Sequence, residues 1–92
     1  MKTLVYGQQT LFTEFKMAAN SLLPSHSHIN EQTGYLVSGK VKPTIGTQTF
    51  EATPGDSWCI PGNVAHSAEI PADSIAIEVF SPIREDYLPS EL

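Results

Sequence analysis

Three histidines are the only ones in the chain, and two of them stand as His26-Ser27-His28. Residues i and i+2 of an extended segment project to one side, so two imidazoles at this spacing can bite a single transition metal. Gln32 lies four positions beyond His28, in step with the same face, and its side-chain oxygen could join the pair. His66 follows the turn Pro61-Gly62-Asn63 and opens a candidate strand, which a barrel would bring opposite the other two. An isolated His-x-His is a common pattern, and most strand histidines are surface or hydrogen-bonded core residues. The surrounding elements therefore decide what the histidines mean.

Those elements read as strands. Seven prolines and six glycines punctuate the chain at short intervals. Runs rich in Val, Ile, Thr, Phe and Tyr lie between them, at residues 3–6, 10–17, 32–38, 40–45, 48–52, 57–60, 66–70 and 74–81. The connectors Gly46-Thr47, Thr53-Pro54-Gly55, Pro61-Gly62-Asn63 and Pro71-Ala72-Asp73 carry turn chemistry. No window of helical length has an apolar stripe at the helical period. Short strands at this spacing predict an all-β closed barrel or two-sheet jelly roll, in which closure also hides the edges.

Composition narrows the function. The 92 residues allow one domain, spanning 1–92, and a chain of this size buries roughly 60–65% of its unfolded surface, so a metal or second subunit would help its stability. A net charge of −5 without any basic cluster argues against nucleic acid as a partner. No stretch reads as a membrane span, and the N-terminus lacks the apolar run of a signal peptide. The single cysteine, Cys59, has no intrachain partner, which fits a reducing cytoplasm. A cytoplasmic protein is expected.

Near the C-terminus, alternation puts Ala76, Glu78 and Phe80 on one face of a strand and Ile75, Ile77 and Val79 on the other. Glu78 faces solvent if the isoleucines fill the space between sheets. It faces the interior if the barrel takes the smaller, mixed face. Arg84 is the only arginine, a planar fork suited to a carboxylate, with Glu85 and Asp86 beside it as possible ion-pair partners. Trp58 and Ile60 share a face opposite Cys59, as core or cavity wall. Tyr35, with Thr33 and Val37, lies opposite Gln32, where packing or an interface is the natural role. Glu69 and Asp73 read as solvated charges.

The segment His26-Ser27-His28-Ile29-Asn30-Glu31-Gln32, followed after six residues by Gly39, resembles the first motif of the cupin family. Gly55, Pro61 and His66 resemble the second, with Asn63 in place of its usual second glycine and Ile70 where an Asn often follows. The resemblance implies a double-stranded β-helix barrel holding one divalent transition metal (nickel, zinc, manganese or iron) on His26, His28, Gln32 and His66. Gln32 stands where many cupins place a carboxylate, and alternation turns Glu31 away if Gln32 faces inward. A neutral set of three His and one Gln leaves the charge of a divalent ion uncompensated. That favours anionic ligands and Lewis-acid chemistry over support of high oxidation states.

The stretch Glu78-Val79-Phe80-Ser81-Pro82-Ile83-Arg84-Glu85-Asp86-Tyr87-Leu88 is similar to the C-terminal signature of small cupins related to the pectin-degradation protein KdgF. That resemblance implies a metal-dependent enzyme that linearises 4,5-unsaturated monouronates. Glu78 would be the acid/base group, Phe80 a substrate contact, and Arg84 both a catalytic group and the carboxylate grip. Glu78 stands where that type has Asp, which moves the carboxylate by about one methylene. Competing expectations are a three-histidine metal-dependent dioxygenase and a non-catalytic barrel that binds a small ligand. One Arg and four Lys make a poor phosphate grip, which disfavours a phosphosugar isomerase. A homodimer is the family habit.

Overall fold

Among the described residues, alternation of inward and outward side chains gives strands as the only regular elements. The computed structural model describes residues 1–84. It contains β1 (Lys2–Tyr6), β2 (Leu11–Met17), β3 (Ser21–His26), β4 (Glu31–Ile45), β5 (Gln48–Thr49), β6 (Ser57–Ile60) and β7 (His66–Ser81). All named pairings are antiparallel. The two long strands, β4 and β7, run beside each other from Glu31 opposite Ser81 to Ile45 opposite His66.

Each long strand belongs to two sheets. Residues 74–81 of β7 lie between β2 and residues 31–38 of β4, with β1 and β6 extending this sheet on either side. Residues 66–70 of β7 lie between β3 and the last residues of β4, with β5 beyond. The strands turn from one sheet into the other at Gly39, whose φ of 93° suits glycine and few other residues. A β-carbon there would collide with the Ser74 hydroxyl and the Asp73 carbonyl. The buried Ser74 hydroxyl locks the corner: it accepts the Lys40 amide at 3.0 Å and lies 2.7 Å from the Ala72 carbonyl.

The space between the sheets is filled by Leu36, Val41, Ala52, Ala68, Ile70 and Ala76, with Met17 and Trp58 packed against them. Full burial of a side chain such as Leu36 or Ile70 contributes about 1.5–3 kcal/mol. Along residues 31–37 burial alternates without a break: Gln32, Gly34 and Leu36 face in, and Glu31, Thr33, Tyr35 and Val37 face out. Tyr35 and Val37 are therefore exposed, and so is Cys59, while its neighbours Trp58 and Ile60 face the interior.

The all-β jelly roll expected from the sequence is present, with four local corrections. Residues 32–38 and 40–45 are one strand, because Gly39 bends the chain without ending it. Residues 66–70 and 74–81 are also one strand. Pro71-Ala72-Asp73 was expected to turn, yet it sits at the corner where the β4–β7 register slips, so the missing proline donor disrupts no regular pair. Residues 48–52 shorten to β5 plus an isolated bridge from Ala52 to Val41. Strand β3 was not expected; it accommodates Pro24 at an irregularity on a strand paired only to β7. Asp73 is also more than a solvated charge, since its Oδ1 accepts the Ala19 amide at 2.8 Å.

Candidate metal centre and cavity

The three histidines converge at one end of the barrel. His26 closes β3 and His66 opens β7, and the two are direct cross-strand partners. His28 lies beyond β3, in the connection to β4. That connection is pinned at two places. Asn63 donates its amide to the His28 carbonyl at 2.7 Å, and Asn30 Nδ2 donates to the Pro82 carbonyl at 2.6 Å. Asn63 has a φ of 65°, so it takes the left-handed conformation that a glycine would supply. A β-carbon on Gly62 would come 2.6 Å from the Ile29 carbonyl, so this turn and the His28 connection are in close contact.

Backbone carbonyls fix the state of each ring. His26 Nδ1 lies 2.9 Å from the Pro24 carbonyl, His28 Nδ1 2.9 Å from that of Asn30, and His66 Nδ1 2.9 Å from that of Val64. A carbonyl can only accept, so each Nδ1 carries the proton and each neutral ring has a bare Nε2 lone pair. One ligand atom from each histidine can be chosen so that all lie within 4.8 Å of one another. His66 is held below its ordinary pKa mainly by burial, with His26, His28 and Arg84 adding to the effect and the Val64 hydrogen bond opposing it.

Gln32 completes the group. Its Nε2 donates to Glu78 Oε1 at 2.7 Å, which leaves Oε1 facing His28 Nε2 at 3.1 Å. Two lone pairs at that distance repel unless a cation or proton stands between them. About 3 Å is also the separation of neighbouring donors on one ion with bonds of about 2.1 Å. In addition, His66 Nε2 is buried and has no hydrogen-bond partner, an expensive arrangement without a ligand. The donor set and its orphaned atom thus fit a divalent transition metal held by His26, His28, Gln32 and His66.

Below this level a cavity of about 150 Å³ opens into the barrel. Its wall includes His26, Gln32, His66, Glu78 and Arg84, and apolar groups such as Met17, Val41 and Ala76. Glu78 faces this interior and is 8% exposed, which decides between the two orientations that alternation allowed. Burial raises its pKa, opposed by the hydrogen bonds from Gln32 and Trp58. Phe80 is buried, with its ring 5.9 Å from that of His28 and the Arg84 guanidinium carbon 5.4 Å from its centroid. Glu85 and Asp86, considered as ion-pair partners of Arg84, lie outside the described residues, as does the rest of the C-terminal signature.

Residues 13–81 match the family model described as the cupin domain. The chain belongs to the cupin family. Among solved structures, an RmlC-like cupin from Shewanella frigidimarina NCIMB 400 superposes with a TM-score of 0.89 at 28% identity, over 94% of this chain and 78% of that one. KdgF from a Halomonas species superposes with a TM-score of 0.90 at 27% identity, over 95% and 82%. The DMSP lyase DddQ from Ruegeria pomeroyi DSS-3 shares the fold alone, with a TM-score of 0.79 at 18% identity over 86% of this cupin and 41% of the lyase. No curated protein is similar enough to count as a relative. Among the described residues, no helix is long and apolar enough to cross a membrane.

The sequence singled out the three histidines, Gln32, Glu78, Phe80 and Arg84; the fold brings His26, Gln32, His66, Glu78, Phe80 and Arg84 to the wall of one cavity, with His28 beside the other two histidines and Phe80. It missed the polar roles of Asn30 and Trp58. Asn30 gave no signal, because its partner Pro82 is brought near only by the fold. Trp58 could be turned inward by alternation, but its hydrogen-bond partner depends on strand register.

Proposed function

We propose that this cupin is a metal-dependent enzyme acting on a small anionic sugar acid, in the manner of the KdgF-type linearisation of 4,5-unsaturated monouronates. One observation carries the reading: a buried carboxyl group, Glu78, shares a cavity with the histidine cluster and with Arg84. The structural likeness to KdgF and the likeness of the stretch from Glu78 to Arg84 support the substrate class. A bound divalent metal would supply polarisation of substrate oxygens.

The protein's own groups do the rest. Arg84 grips the carboxylate through its planar fork. Phe80 offers an apolar surface to the sugar ring and supports the guanidinium above it. Glu78 moves the proton, and its raised pKa brings it toward the range in which a carboxyl group can both accept and donate near neutrality. In the reaction the anomeric hydroxyl loses its proton and the bond from the anomeric carbon to the ring oxygen breaks. The ring oxygen leaves as an enolate, and delivery of one proton to the neighbouring alkene carbon, matching the one lost by the anomeric hydroxyl, converts that enolate to a ketone. The change is an isomerisation, so neither oxidant nor reductant is consumed.

The test is the near-ultraviolet absorbance of a 4,5-unsaturated monouronate, followed with metal-loaded protein, chelated protein and buffer. Rapid, chelator-sensitive loss of signal supports the reading; loss no faster than in buffer, with metal content verified, refutes it. The apolar wall around Met17, Val41 and Ala76 favours a second reading, a three-histidine oxygenase acting on a less polar compound. That alternative requires oxygen uptake by the iron, nickel or copper form.

A further inference from the structure

Gly34 stands in register between two residues that chemistry connects, Glu78 on β7 and Trp58 on β6. A β-carbon on Gly34 would fall on the Trp58 indole. The missing side chain therefore lets the indole lie over β4 and reach Glu78, where its Nε1–H donates to Oε1 at 3.0 Å. The same oxygen accepts the Gln32 amide at 2.7 Å. An indole nitrogen only donates, so Oε1 is an acceptor in both bonds.

We propose that Trp58 is a positioning residue for the metal centre, acting through Glu78 to keep the Gln32 oxygen turned toward the histidines. The proposal rests on the metal reading given above. The Gln32 amide has two orientations. In the one observed, nitrogen meets Glu78 and oxygen meets His28. In the flipped one, the amide nitrogen donates to the His28 Nε2 lone pair and the centre loses an oxygen donor together with a free imidazole. Glu78 opposes the flip only while its Oε1 stays in front of Gln32. Trp58 holds that oxygen there, because rotating the carboxylate away breaks the indole bond as well. Gly34, Trp58, Glu78 and Gln32 thus form one chain leading to the metal site.

Trp58 is the only tryptophan, so its indole N–H gives a single resonance in nitrogen-15-labelled protein. Zinc is added to the chelator-treated full chain, and this resonance is followed together with the histidine ring signals. In the wild type, indole and histidine signals should move with the same zinc saturation. In Gln32→Ala the histidines should still respond, while the indole shift falls severalfold. Trp58→Phe should bind zinc about tenfold more weakly, and its cobalt form should show an altered visible spectrum. An indole that ignores zinc while the histidines respond overturns the proposal and leaves the metal reading intact. A Trp58→Phe protein with wild-type zinc affinity and an unchanged cobalt spectrum does the same. Histidines that do not respond to zinc overturn the metal reading, and this proposal with it. If Trp58→Phe does not fold, the comparison of wild type with Gln32→Ala decides alone.

Discussion

His26 and His66 are cross-strand partners, the last residue of β3 facing the first of β7 with ring centroids 4.2 Å apart. Their placement ties metal binding to the docking of β3. A ligand that binds only the folded chain stabilises it by mass action, about 2.7 kcal/mol at a hundred times its Kd. Zinc or nickel should therefore raise the unfolding temperature. His66→Ala should abolish that rise and lower metal affinity about a hundredfold, measured by calorimetry or chelator competition.

Glu78→Gln keeps the size of the side chain and a hydrogen-bonding oxygen but removes the proton carrier. Turnover of the unsaturated uronate should fall by about two to four orders of magnitude, while metal content stays at the wild-type level. Retention of turnover in that variant excludes Glu78 as the acid/base group.

Arg84→Lys preserves charge and loses the planar fork. Its main effect should be on KM, which should rise about tenfold, with a smaller change in kcat. Steady-state kinetics separate the two terms, and an unchanged KM removes Arg84 from carboxylate binding.

The raised pKa of Glu78 has a thermodynamic counterpart in chelated protein. The folded state holds this proton more tightly than the unfolded chain does. Its contribution is thus fully present below the ordinary value of 4.5 and is lost as pH rises through the folded value. For His66 the folded pKa is depressed, so its contribution is present above 6.5 and is lost as pH falls through the folded value. Urea unfolding across this range should show Glu78→Gln losing the first slope and keeping the second.

Gly39→Ala places a β-carbon against the Ser74 hydroxyl and the Asp73 carbonyl at a φ of 93°. It should cost about 2–4 kcal/mol in chemical unfolding. Gly7→Ala, where no atom beyond the glycine and its chain neighbours lies within 4 Å of the added carbon, is the control and should be close to neutral.

The legible part of this protein was local. His26, His28, Gln32 and His66 were picked out through the cupin motifs that their types and spacing resemble, and the alternation around Glu78 reduced its orientation to two choices. Turn residues were less reliable guides. Pro71 suggested a turn, and Pro24 lies in a strand that was not expected; both sit at points of irregular register, where a missing donor is tolerated. The contact between Trp58 and Glu78 lay beyond sequence reading altogether. It requires the register of β6 and β7 against β4, and a glycine between them leaves no positive mark in the chain.

The corner at Gly39 and Ser74 also constrains how the barrel can move. Two layers that share two uninterrupted strands cannot slip past one another without breaking the β4–β7 ladder along its length. The low-energy motion left to them is to open and close like a book, with Ser74 in the spine and the free margins on the far side. Breathing of that kind would change the width of the cavity while sparing the pairing of β7 with β2, β3 and β4. Amide exchange should therefore be slowest along residues 74–80, which pair on both sides, and faster in β1 and β5, which pair on one side only.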